Sequence, residues 1–483
     1  MSSTSKKPGF SFRLWHLEFL LLAGLAAILI AWVIIPGMQP SGPDEQMRYV
    51  VARFFYNHPG QLPNGGAEEL RDPQWGFSYA LYPYLAYMIM SVFMRITSLF
   101  TSSDAAILYS ARMVNVVLIL LTAVLLYKIG QRLFGGAKGF FFSSLVVFMP
   151  GFHFLGVYIN CDALALFSAA LILYAWVRVL QEGCTWKNCL IISVGMGICF
   201  LSYYNAYGWI LCSFIYFCLM VFLCRPATVS ENVRFFITRA LFCIAITLGI
   251  SGWFFIHNYI IYDGDFLGLN TSTWLGETYA EDWLKPSQHE TPQKMGWSAL
   301  QLITLQVSGW PHNWLILSLV SYVGTFGLFN IFMNDTVSLT YVGFISLGML
   351  GFFIMMYRFS LHDKKVTVTR GKTNGVRTKT ISISTMPTWN KQSVFNLAML
   401  LAMIIPVIIY VHYVYVDDLQ AQGRYMILSV YPVMYFVTLG FSTFFARIKK
   451  IARFEQLFYI VISALWIFGA FFNFFTVIYP WYR

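Results

Sequence analysis

Charged side chains are scarce in this chain of 483 residues. Asp, Glu, Lys and Arg together make up 11% of the sequence, whereas hydrophobic residues make up 58%. A water-soluble globule of this size needs more polar surface than so few charges supply. The composition therefore excludes a soluble protein and indicates a lipid bilayer, whose core is crossed by apolar runs of about 18 to 22 residues.

Several signatures of catalysis and transport are also missing. The sequence has no G-x-x-x-x-G-K-[ST] loop, no H-E-x-x-H helix and no G-x-S-x-G turn, so ATP-driven transport, zincin and serine-hydrolase chemistry lack their motifs. The eight cysteines form neither a metal-ligand pattern nor a disulfide framework. Energy for any synthesis must therefore come with the substrate.

The apolar runs recur from one end of the sequence to the other. About eleven of them are predicted to cross the bilayer, namely 15–35, 109–130, 137–153, 162–180, 187–204, 207–224, 236–256, 337–357, 394–415, 425–446 and 455–478. The net charge of +11 follows from basic residues at the ends of these runs, so we expect no nucleic-acid partner. The sequence predicts an all-α polytopic membrane protein.

The distribution of basic residues predicts the orientation of the chain. Between 358 and 391, eight Lys or Arg stand against one Asp363, whereas 258–314 carries six acids and two lysines. The positive-inside rule makes 358–393 a basic cytoplasmic loop, together with the segment ends that carry Lys128, Arg132, Arg178, Lys187, Arg225, Arg234, Arg447, Lys449 and Lys450. We therefore expect a cytoplasmic N-terminus, an external C-terminus and one transmembrane domain without a separate soluble domain.

The N-terminal end and two outer segments complete this topology. Lys6, Lys7 and Arg13 precede an apolar run without a small-residue cleavage site, which indicates a retained anchor. The outer segments 36–108 and 257–336 are rich in Trp, Tyr and Pro, as interfacial segments tend to be. We interpret 79–100 as paired helices at the outer leaflet, because counting it as a span would invert every later loop.

The first outer segment opens with an acidic pair. Ser41 as a cap, Pro43 in the first turn and the acids Asp44 and Glu45 predict the start of a helix. Helical spacing of its apolar residues predicts that it lies in the membrane plane with one apolar face, formed by Met47, Val50, Val51, Phe54 and Phe55. At ~100° per residue, Asp44 projects beside this face and Glu45 points toward Arg48 and solvent.

Asp44 therefore has two interpretations. It is either a helix cap or a general base, because burial beside an apolar face would raise the pKa of its carboxyl group toward a useful value.

Other polar residues lie at the predicted outer ends of spans. Asp162, two residues after Asn160, either caps a helix or converges with Asp44 on one cavity, there to hold a divalent cation or orient an acceptor sugar. Arg112 either snorkels or serves the site. Arg424, between Gln422 and Tyr425, is placed to fork onto a lipid phosphate. Aromatics in 253–265, around His257 and Asn258, either stack on sugars or anchor the interface.

The order of these motifs resembles the GT-C superfamily of membrane glycosyltransferases, which includes protein O-mannosyltransferases and the lipid A aminoarabinose transferase. The resemblance spans most of the chain and rests on Pro43-Asp44-Glu45, Ala111-Arg112-Met113-Val114, the Pro150 turn to Asn160-x-Asp162, the Trp253 to Asp265 exit, and Gln422-Gly423-Arg424-Tyr425.

The resemblance implies an inverting transfer of a sugar from a polyprenyl-phosphate donor, such as undecaprenyl phosphate in a bacterial plasma membrane. The acceptor would be a cell-surface glycan, lipid or protein on the outer face, as in cell-wall polysaccharide biosynthesis. Asp44 would be the base, with Glu45 and Asp162 shaping the catalytic site. Asp44 and Asp162 are also the candidate ligands of a Mg²⁺ or Mn²⁺ ion.

The same resemblance distributes the binding roles. Arg424, Arg112 and His257 would bind the donor phosphate, and His257 stands where relatives tend to carry Arg. Asn160, Asn258, Tyr425 and Gln422 would line the substrate pocket. Two alternatives stay open. A polysaccharide or lipid transporter or flippase would need ionisable residues near mid-span, and in a non-catalytic scaffold Asp44 would be a replaceable cap.

Overall fold

A computed structural model describes residues 14–306, 309–362, 365–373, 376–384 and 389–483. Lys6, Lys7, Arg13 and Asp363, which entered the topology prediction, lie outside the described residues. So do parts of the basic loop at 363–364, 374–375 and 385–388.

In the described part of the first half of the chain, the regular secondary structure consists of helices. Its helices are α1 (Leu14–Ile34), α2 (Glu45–Asn57), α3 (Leu85–Ser98), α4 (Asp104–Leu133), α5 (Gly136–Val147), α6 (Pro150–Phe154), α7 (Asp162–Glu182), α8 (Trp186–Phe200), α9 (Tyr207–Cys224) and α10 (Val229–Ile261). Short 3-10 helices lie at Glu68–Leu70, Tyr79–Leu81 and Tyr204–Ala206.

The second half combines helices with two small hairpins. Its helices are α11 (Leu269–Tyr279), α12 (Ala299–Thr304), α13 (Trp314–Gly324), α14 (Asp335–His362), α15 (Lys391–Val416), α16 (Val430–Arg447), α17 (Lys449–Ala452), α18 (Glu455–Asn473) and α19 (Tyr479–Trp481). Further 3-10 helices lie at Asp282–Leu284, Pro286–Gln288 and Gly423–Ser429, and a π-helix at Phe474–Ile478. Antiparallel hairpins pair β1 (Thr325–Phe326) with β2 (Ile331–Phe332), and β3 (Lys365–Thr373) with β4 (Val376–Ser384).

Each of the eleven predicted spans coincides with a helix. Within the described ranges, eight helices are long and apolar enough to cross a membrane: α4, α7, α9 with its preceding turn, α10, α14, α15, α16 with its preceding turn, and α18 with its continuation. The other three predicted spans fall on shorter apolar helices, namely α1, α5 and α8. The prediction of an all-α, multi-pass membrane protein is confirmed.

The two segments predicted to lie on the outer side fold into short elements that pack against the long helices. The segment 36–108 contains α2 and α3, and the region 79–100, expected to form paired helices, is a 3-10 turn followed by α3. Helix α3 packs between α2 and α4. The segment 257–336 contributes α11, α12, α13 and the first hairpin. Helix α13 packs against α6 and against the 3-10 helix Gly423–Ser429.

Helices α4 and α7 run side by side and define the two ends of the bundle. Their C-terminal ends are joined by Arg132 of α4, whose side chain lies 3.0 Å from the carboxylate of Glu182 on α7. Arg178, also on α7, lies 2.5 Å from the same carboxylate. Their N-terminal halves carry Arg112 and Asp162, which belong to the opposite end. Arg112 and Asp162, two of the candidate site residues, therefore lie at the end of the two helices opposite to Arg132 and Arg178.

Candidate active site

Asp44 is the residue at which the chain turns into α2. Helix α2 begins at Glu45, and Asp44 precedes it as the N-cap with φ 60° and ψ 12°, in the left-handed region. The prediction that the helix starts at Ser41 is wrong by several residues. Aspartate tolerates this conformation better than most residues do, but its cost is of order 1–3 kcal/mol, and such strain is common at functional sites.

The Asp44 carboxylate lies between two arginines. Its Oδ2 is 3.4 Å from Nη2 of Arg48, one helical turn away, and 3.2 Å from Nη2 of Arg424. The Asp44 side chain is 26% exposed, whereas those of Arg48 and Arg424 are 3% and 13% exposed. A carboxylate with one open side and two buried cations behind it is accessible to a substrate.

Opposing effects set the pKa of Asp44. Burial alone raises the pKa, but the charges of Arg424 and Arg48, with hydrogen bonds from Arg424 and Tyr79, outweigh burial and leave the pKa of Asp44 below its ordinary value. The expectation that burial would raise the pKa of Asp44 is therefore wrong, because the sequence does not show that two cations share the burial. Asp44 is an ionised carboxylate at neutral pH.

Arg48 connects Asp44 to Asp162. Its Nη1 lies 3.9 Å from Oδ2 of Asp162 and donates to Sγ of Cys161 at 3.3 Å. Its guanidinium lies over the ring of Tyr79, 4.4 Å from the ring centre. The structure thus brings Asp44 and Asp162 to one cluster, which was one of the two interpretations of Asp162 in the sequence. It adds Arg48, which was treated only as a solvent-side neighbour of Glu45 although the Asp44-to-Arg48 spacing of four residues predicts contact.

Arg424 reaches this cluster from the C-terminal part of the chain. The preceding residue, Gly423, lies against α13 so closely that a Cβ atom there would be 2.3 Å from the Ser318 carbonyl oxygen. Ser321 fixes the same segment, since its Oγ accepts the Gly423 N–H at 2.7 Å and donates to the Ala421 carbonyl at 2.8 Å. The backbone before Arg424 is therefore held against a helix.

Tyrosines complete the surroundings of Arg424. Its Nη1 donates to Oη of Tyr158 at 3.2 Å and its Nη2 to Oη of Tyr425 at 3.4 Å. The ring of Tyr425 stacks on Tyr410 and Tyr413, with ring centres 6.1 Å and 5.6 Å apart. Tyr158 was not predicted as a site residue. It also packs against the backbone of Gly42, where an added Cβ would clash with the Tyr158 ring.

Glu45 forms a different contact from the one predicted. It is buried, at 3% exposure, and its two carboxylate oxygens accept Arg112 Nε at 2.8 Å and Nη2 at 3.0 Å. The same oxygens accept the N–H of Ile159 and both the N–H and the Oγ of Ser41. The prediction that Glu45 faces solvent is wrong, because the side of α2 that carries Glu45, Arg48 and Ala52 is buried.

The buried Glu45–Arg112 pair and its backbone contacts form a clamp, in which Arg112 uses all of its hydrogen-bond donors. Beyond Glu45, its Nη1 donates to the carbonyls of Val33 and Gly37, and its Nη2 to that of Gln39, at 2.8–3.2 Å. A guanidinium has five N–H donors, and each of these contacts uses one. Arg112 therefore joins α4 to the end of α1 and to α2, and has no donor left for a phosphate.

The remaining predicted residues fall into two groups. Asn160 lies in the turn before α7, where its side chain binds the carbonyls of Leu155 and Tyr158 and accepts the N–H of Ala163. His257 and Asn258 lie at the end of α10 and contact the backbone carbonyls of Pro63 and Leu81. These contacts are with the backbone and differ from those of the Asp44 cluster.

The donor set does not fit a divalent cation. Throughout the described part of the chain there is no group of three or more His, Cys, Asp or Glu residues arranged to hold a metal ion. Asp44 and Asp162 each face Arg48, and Arg424 adds a second guanidinium at Asp44. Two carboxylates balanced by two arginines have no net negative charge to attract Mg²⁺ or Mn²⁺, which prefer oxygen ligands in larger number.

One protein family is similar to the middle of this chain. The dolichyl-phosphate-mannose-protein mannosyltransferase family matches residues 81–253, less than half of the chain. This region contains Arg112, Asn160 and Asp162 but neither Asp44 nor Arg424. No curated protein sequence is significantly similar to the chain.

Two archaeal structures show the fold class, and the chain is also similar to a third structure. The apo oligosaccharyltransferase of Archaeoglobus fulgidus has a TM-score of 0.52 at 17% identity, over 95% of this chain and 55% of that chain. The complex of the oligosaccharyltransferase AglB from the same organism with an inhibitory peptide and a dolichol-phosphate has 0.50 at 14%, over 95% and 55%. ArnT from Cupriavidus metallidurans bound to undecaprenyl phosphate has 0.49 at 13%, over 94% and 64%.

The chain spans about half the length of the archaeal enzymes it matches. At these identities the match shows the fold, and that fold is the GT-C fold. The resemblance inferred from the order of motifs is confirmed at this level.

Proposed function

We propose that this chain, a membrane glycosyltransferase of the GT-C superfamily, transfers a sugar with inversion from a polyprenyl-phosphate donor to a hydroxyl group of a cell-surface acceptor. The acceptor is a glycan, lipid or protein at the outer face of a bacterial plasma membrane. The observation that carries the proposal is the half-open Asp44 carboxylate, held at 3.2 Å from Arg424 at a helix start.

The reaction needs one base and one stabilised leaving group. Asp44 takes the proton of the acceptor hydroxyl as its oxygen attacks the anomeric carbon of the donor sugar. A new C–O bond forms on one face of that carbon while the bond to the phosphate oxygen breaks on the other. The electron pair of the broken bond leaves with the polyprenyl phosphate, and the configuration of the carbon is inverted.

Arg424 is the group suited to the leaving phosphate. A buried guanidinium near a mobile substrate stabilises negative charge that develops on the phosphate oxygens. When the donor phosphate binds Arg424, a negative charge approaches Asp44 and competes for its cation, so the pKa of Asp44 rises. Donor binding therefore makes Asp44 a stronger base at the moment when an acceptor is needed.

The other charged residues hold the catalytic groups and the helices around them in position. Arg48 contacts Asp44 and Asp162 together and so fixes the direction of the Asp44 carboxylate. Glu45 and Arg112, first assigned to catalysis and to phosphate binding, are now proposed to hold α1, α2 and α4 together beneath the site. His257 is not needed for the phosphate in this proposal, because its ring contacts the Pro63 carbonyl.

Two facts support the outer face and the lipid-linked donor. The Asp44 cluster lies at the end of α4 and α7 opposite to Arg132 and Arg178, and the positive-inside rule makes basic ends cytoplasmic. An archaeal relative with the same fold has been solved with a dolichol-phosphate, which is a polyprenyl phosphate.

The test is a transfer assay with the purified full chain in lipid vesicles. Labelled polyprenyl-phosphate sugars are supplied as a panel with an acceptor extract, and the wild type is compared with Asp44→Asn. We expect transfer by the wild type and a loss of about 10²- to 10⁴-fold in the variant, the usual contribution of a general base. Inversion is checked from the anomeric configuration of the product.

The matched control is Asp104→Asn, which changes an exposed aspartate at the start of α4. This variant should retain full activity. Equal activity of Asp44→Asn and Asp104→Asn would disprove the role of Asp44. Absence of transfer by the wild type from every donor, with labelled lipid moved across the vesicle membrane instead, would favour a transporter.

A further inference from the structure

A large cavity lies beside the C-terminal half of α4, away from Asp44. Helices α1 and α5 both pack against α4, and the cavity between the three helices has a volume of about 260 Å³. One buried water molecule needs only ~10–15 Å³. The cavity therefore has room for a chain of carbon atoms. We call it the α1 cavity, after the helix that supplies Glu18, Leu22 and Leu25 to its wall.

The wall of the α1 cavity is mostly apolar. Leu22 and Leu25 of α1, Val124 of α4 and Val147 of α5 are among the residues that form it. Ser143, a polar residue of the wall, donates its hydroxyl group to backbone carbonyls of its own helix. Apolar cavities stay dry and bind apolar ligands, so this wall favours a hydrocarbon over water.

One end of the α1 cavity is polar. Tyr127 donates its hydroxyl group to Oε1 of Glu18, and both residues line the cavity. Tyr127 stands five residues before Arg132 near the C-terminal end of α4, and Glu18 stands near the start of α1. Leu25 lies about 10 Å further along α1, at 1.5 Å per residue. The cavity thus runs from a carboxylate, at the end of α4 that carries Arg132, into the apolar interior.

The Glu18 carboxylate has no counter-charge in the described part of the chain, because none of the ion pairs found there includes Glu18. Its second oxygen, Oε2, forms no hydrogen bond with the described residues and is not buried. A charged group on a membrane helix is costly unless it is paired or serves a function. An open carboxylate oxygen at the polar end of an apolar cavity therefore favours a positively charged ligand.

The surroundings of Glu18 indicate the source of that ligand. Phe19, which also lines the cavity, is 65% exposed, and Leu20 beside it is 57% exposed. Exposed apolar side chains on a membrane helix face lipid. One carboxylate supplies too few oxygens for Mg²⁺ or Ca²⁺, which take six or more ligands, and either ion would leave the apolar wall unfilled. A phospholipid with an ammonium headgroup has both a positive charge and a hydrocarbon chain.

We infer that the α1 cavity binds an ethanolamine phospholipid, with one hydrocarbon chain between α1, α4 and α5 and the headgroup ammonium on Glu18. A primary ammonium has three N–H donors, whereas the quaternary ammonium of choline has none. Oε2 of Glu18 accepts one of these donors and the Tyr127 oxygen accepts another, so the site selects ethanolamine over choline. This inference goes beyond the proposed function and does not depend on the role of Asp44.

The test is a lipid titration of the purified, delipidated full chain, followed by native mass spectrometry. Three phospholipids with identical chains are compared, carrying ethanolamine, choline or glycerol headgroups. We expect the wild type to bind the ethanolamine lipid about 10-fold more tightly than the other two, the value of a hydrogen bond to a charged group. Glu18→Gln should bind the ethanolamine and choline lipids equally. The matched control is Glu231→Gln, which changes an exposed acid at the start of α10 and should keep the wild-type preference.

A second pair of variants tests the cavity itself. Leu22→Trp fills the space between α1 and α4 and should weaken binding of all three lipids by about 10-fold or more, because the chain loses its apolar contacts. Leu241→Trp adds the same side chain at an exposed position of α10 and should change nothing. Thermal unfolding of each purified variant shows whether it folds, and if Leu22→Trp does not, the headgroup comparison decides alone.

The outcomes are separate from those of the transfer assay. Equal binding of the three lipids by the wild type, or an ethanolamine preference that survives in Glu18→Gln, overturns this inference. So does a folded Leu22→Trp protein that binds lipid as Leu241→Trp does, because the chain would then lie elsewhere. Loss of transfer in Asp44→Asn leaves lipid binding unchanged, so each proposal can fail without the other.

Discussion

Nη2 of Arg424 lies 3.2 Å from Oδ2 of Asp44, although 380 residues of chain separate the two. This contact joins the proposed base to the proposed phosphate-binding group before any substrate is present. The base is thereby kept ionised and weak, and an incoming phosphate has to compete for Arg424. The two halves of the reaction are coupled through one guanidinium.

The coupling predicts a pH dependence for the Arg424→Gln variant. The pKa of Asp44 is below its ordinary value of about 3.9 because Arg424 and Arg48 overcome burial. As the base acts only when ionised, Asp44 causes no loss of wild-type activity until the pH falls below that value. Removing Arg424 leaves burial opposed by Arg48 and the Tyr79 hydrogen bond, so the pKa of Asp44 rises and the acid limb of kcat/KM moves to higher pH.

The measurement is the pH profile of kcat/KM, which reports groups of the free enzyme. The control is Arg424→Lys, which keeps a positive charge and should leave the acid limb near its wild-type position while losing the forked contact to phosphate. Equal acid limbs in Arg424→Gln and the wild type would show that Arg424 does not set the pKa of Asp44.

Convergence of Asp44 with Asp162 was one of two interpretations of the sequence, and a shared site with Arg424 was implied by the family resemblance. Each of these residues was expected on the outer side of the membrane. Helix ends on one side of a membrane are brought to one layer, whatever their order in the chain. Local phase was less informative. Glu45 was expected in water because it lies beside Arg48, but this side of α2, which also carries Ala52, is buried.

Long-range partners were beyond the reach of pattern analysis. Arg112 looked like a lone cation at the end of a span, and only the fold shows that Glu45 and three backbone carbonyls occupy it. Arg48 is different. Its spacing of four residues from Asp44 was visible in the sequence, but Arg48 was interpreted as a neighbour of Glu45.

The Glu45 and Arg112 pair predicts a large effect on stability. Glu45→Gln leaves a buried guanidinium without its counter-charge, and breaking a buried pair from one side typically costs about 3–5 kcal/mol. The double variant Glu45→Leu with Arg112→Met removes both charges, but it also takes away the partners of two backbone N–H groups and three backbone carbonyls. Because unpaired buried groups are costly, it should be less stable than Glu45→Gln. Thermal unfolding in detergent measures the order of the three proteins.

An exposed ion pair provides the comparison for that series. Lys285 lies 2.7 Å from Asp282 at the surface, and Lys285→Gln should leave the unfolding temperature unchanged, since exposed pairs contribute little. A Glu45→Gln protein as stable as the wild type would show that the clamp is not needed for folding, and Glu45 would return as a candidate for catalysis.

Chelation tests the mechanism from another direction. The arginines that face Asp44 and Asp162 supply the positive charge that a metal ion would otherwise provide, so we expect transfer to be insensitive to EDTA and to added Mg²⁺ or Mn²⁺. The measurement is initial rate after exhaustive dialysis against chelator. A different result would assign a cation to the two carboxylates: dialysis lowers the activity, Mn²⁺ restores it in the wild type, and Mn²⁺ does not restore it in Asp162→Asn.

The last prediction concerns Gly423, the residue that seats Arg424. A Cβ at this position would lie 2.3 Å from the Ser318 carbonyl oxygen and 2.3 Å from the Tyr322 nitrogen, both backbone atoms of α13. Gly423→Ala must therefore push the turn away from the helix, at a cost of about 1–3 kcal/mol, and move Arg424 away from Asp44. We expect a lower unfolding temperature and a loss of transfer greater than the loss of folded protein.

Gly343→Ala is the matched control, because an added Cβ on this exposed residue of α14 meets no atom within 4 Å. Alanine is the better helix former by roughly 0.5–1 kcal/mol, so this variant should be at least as stable as the wild type and equally active. The decisive comparison is activity per folded molecule. If Gly423→Ala unfolds earlier but transfers sugar normally while folded, the close approach serves stability alone, and Arg424 is positioned by its contacts to Asp44 and Tyr158 instead.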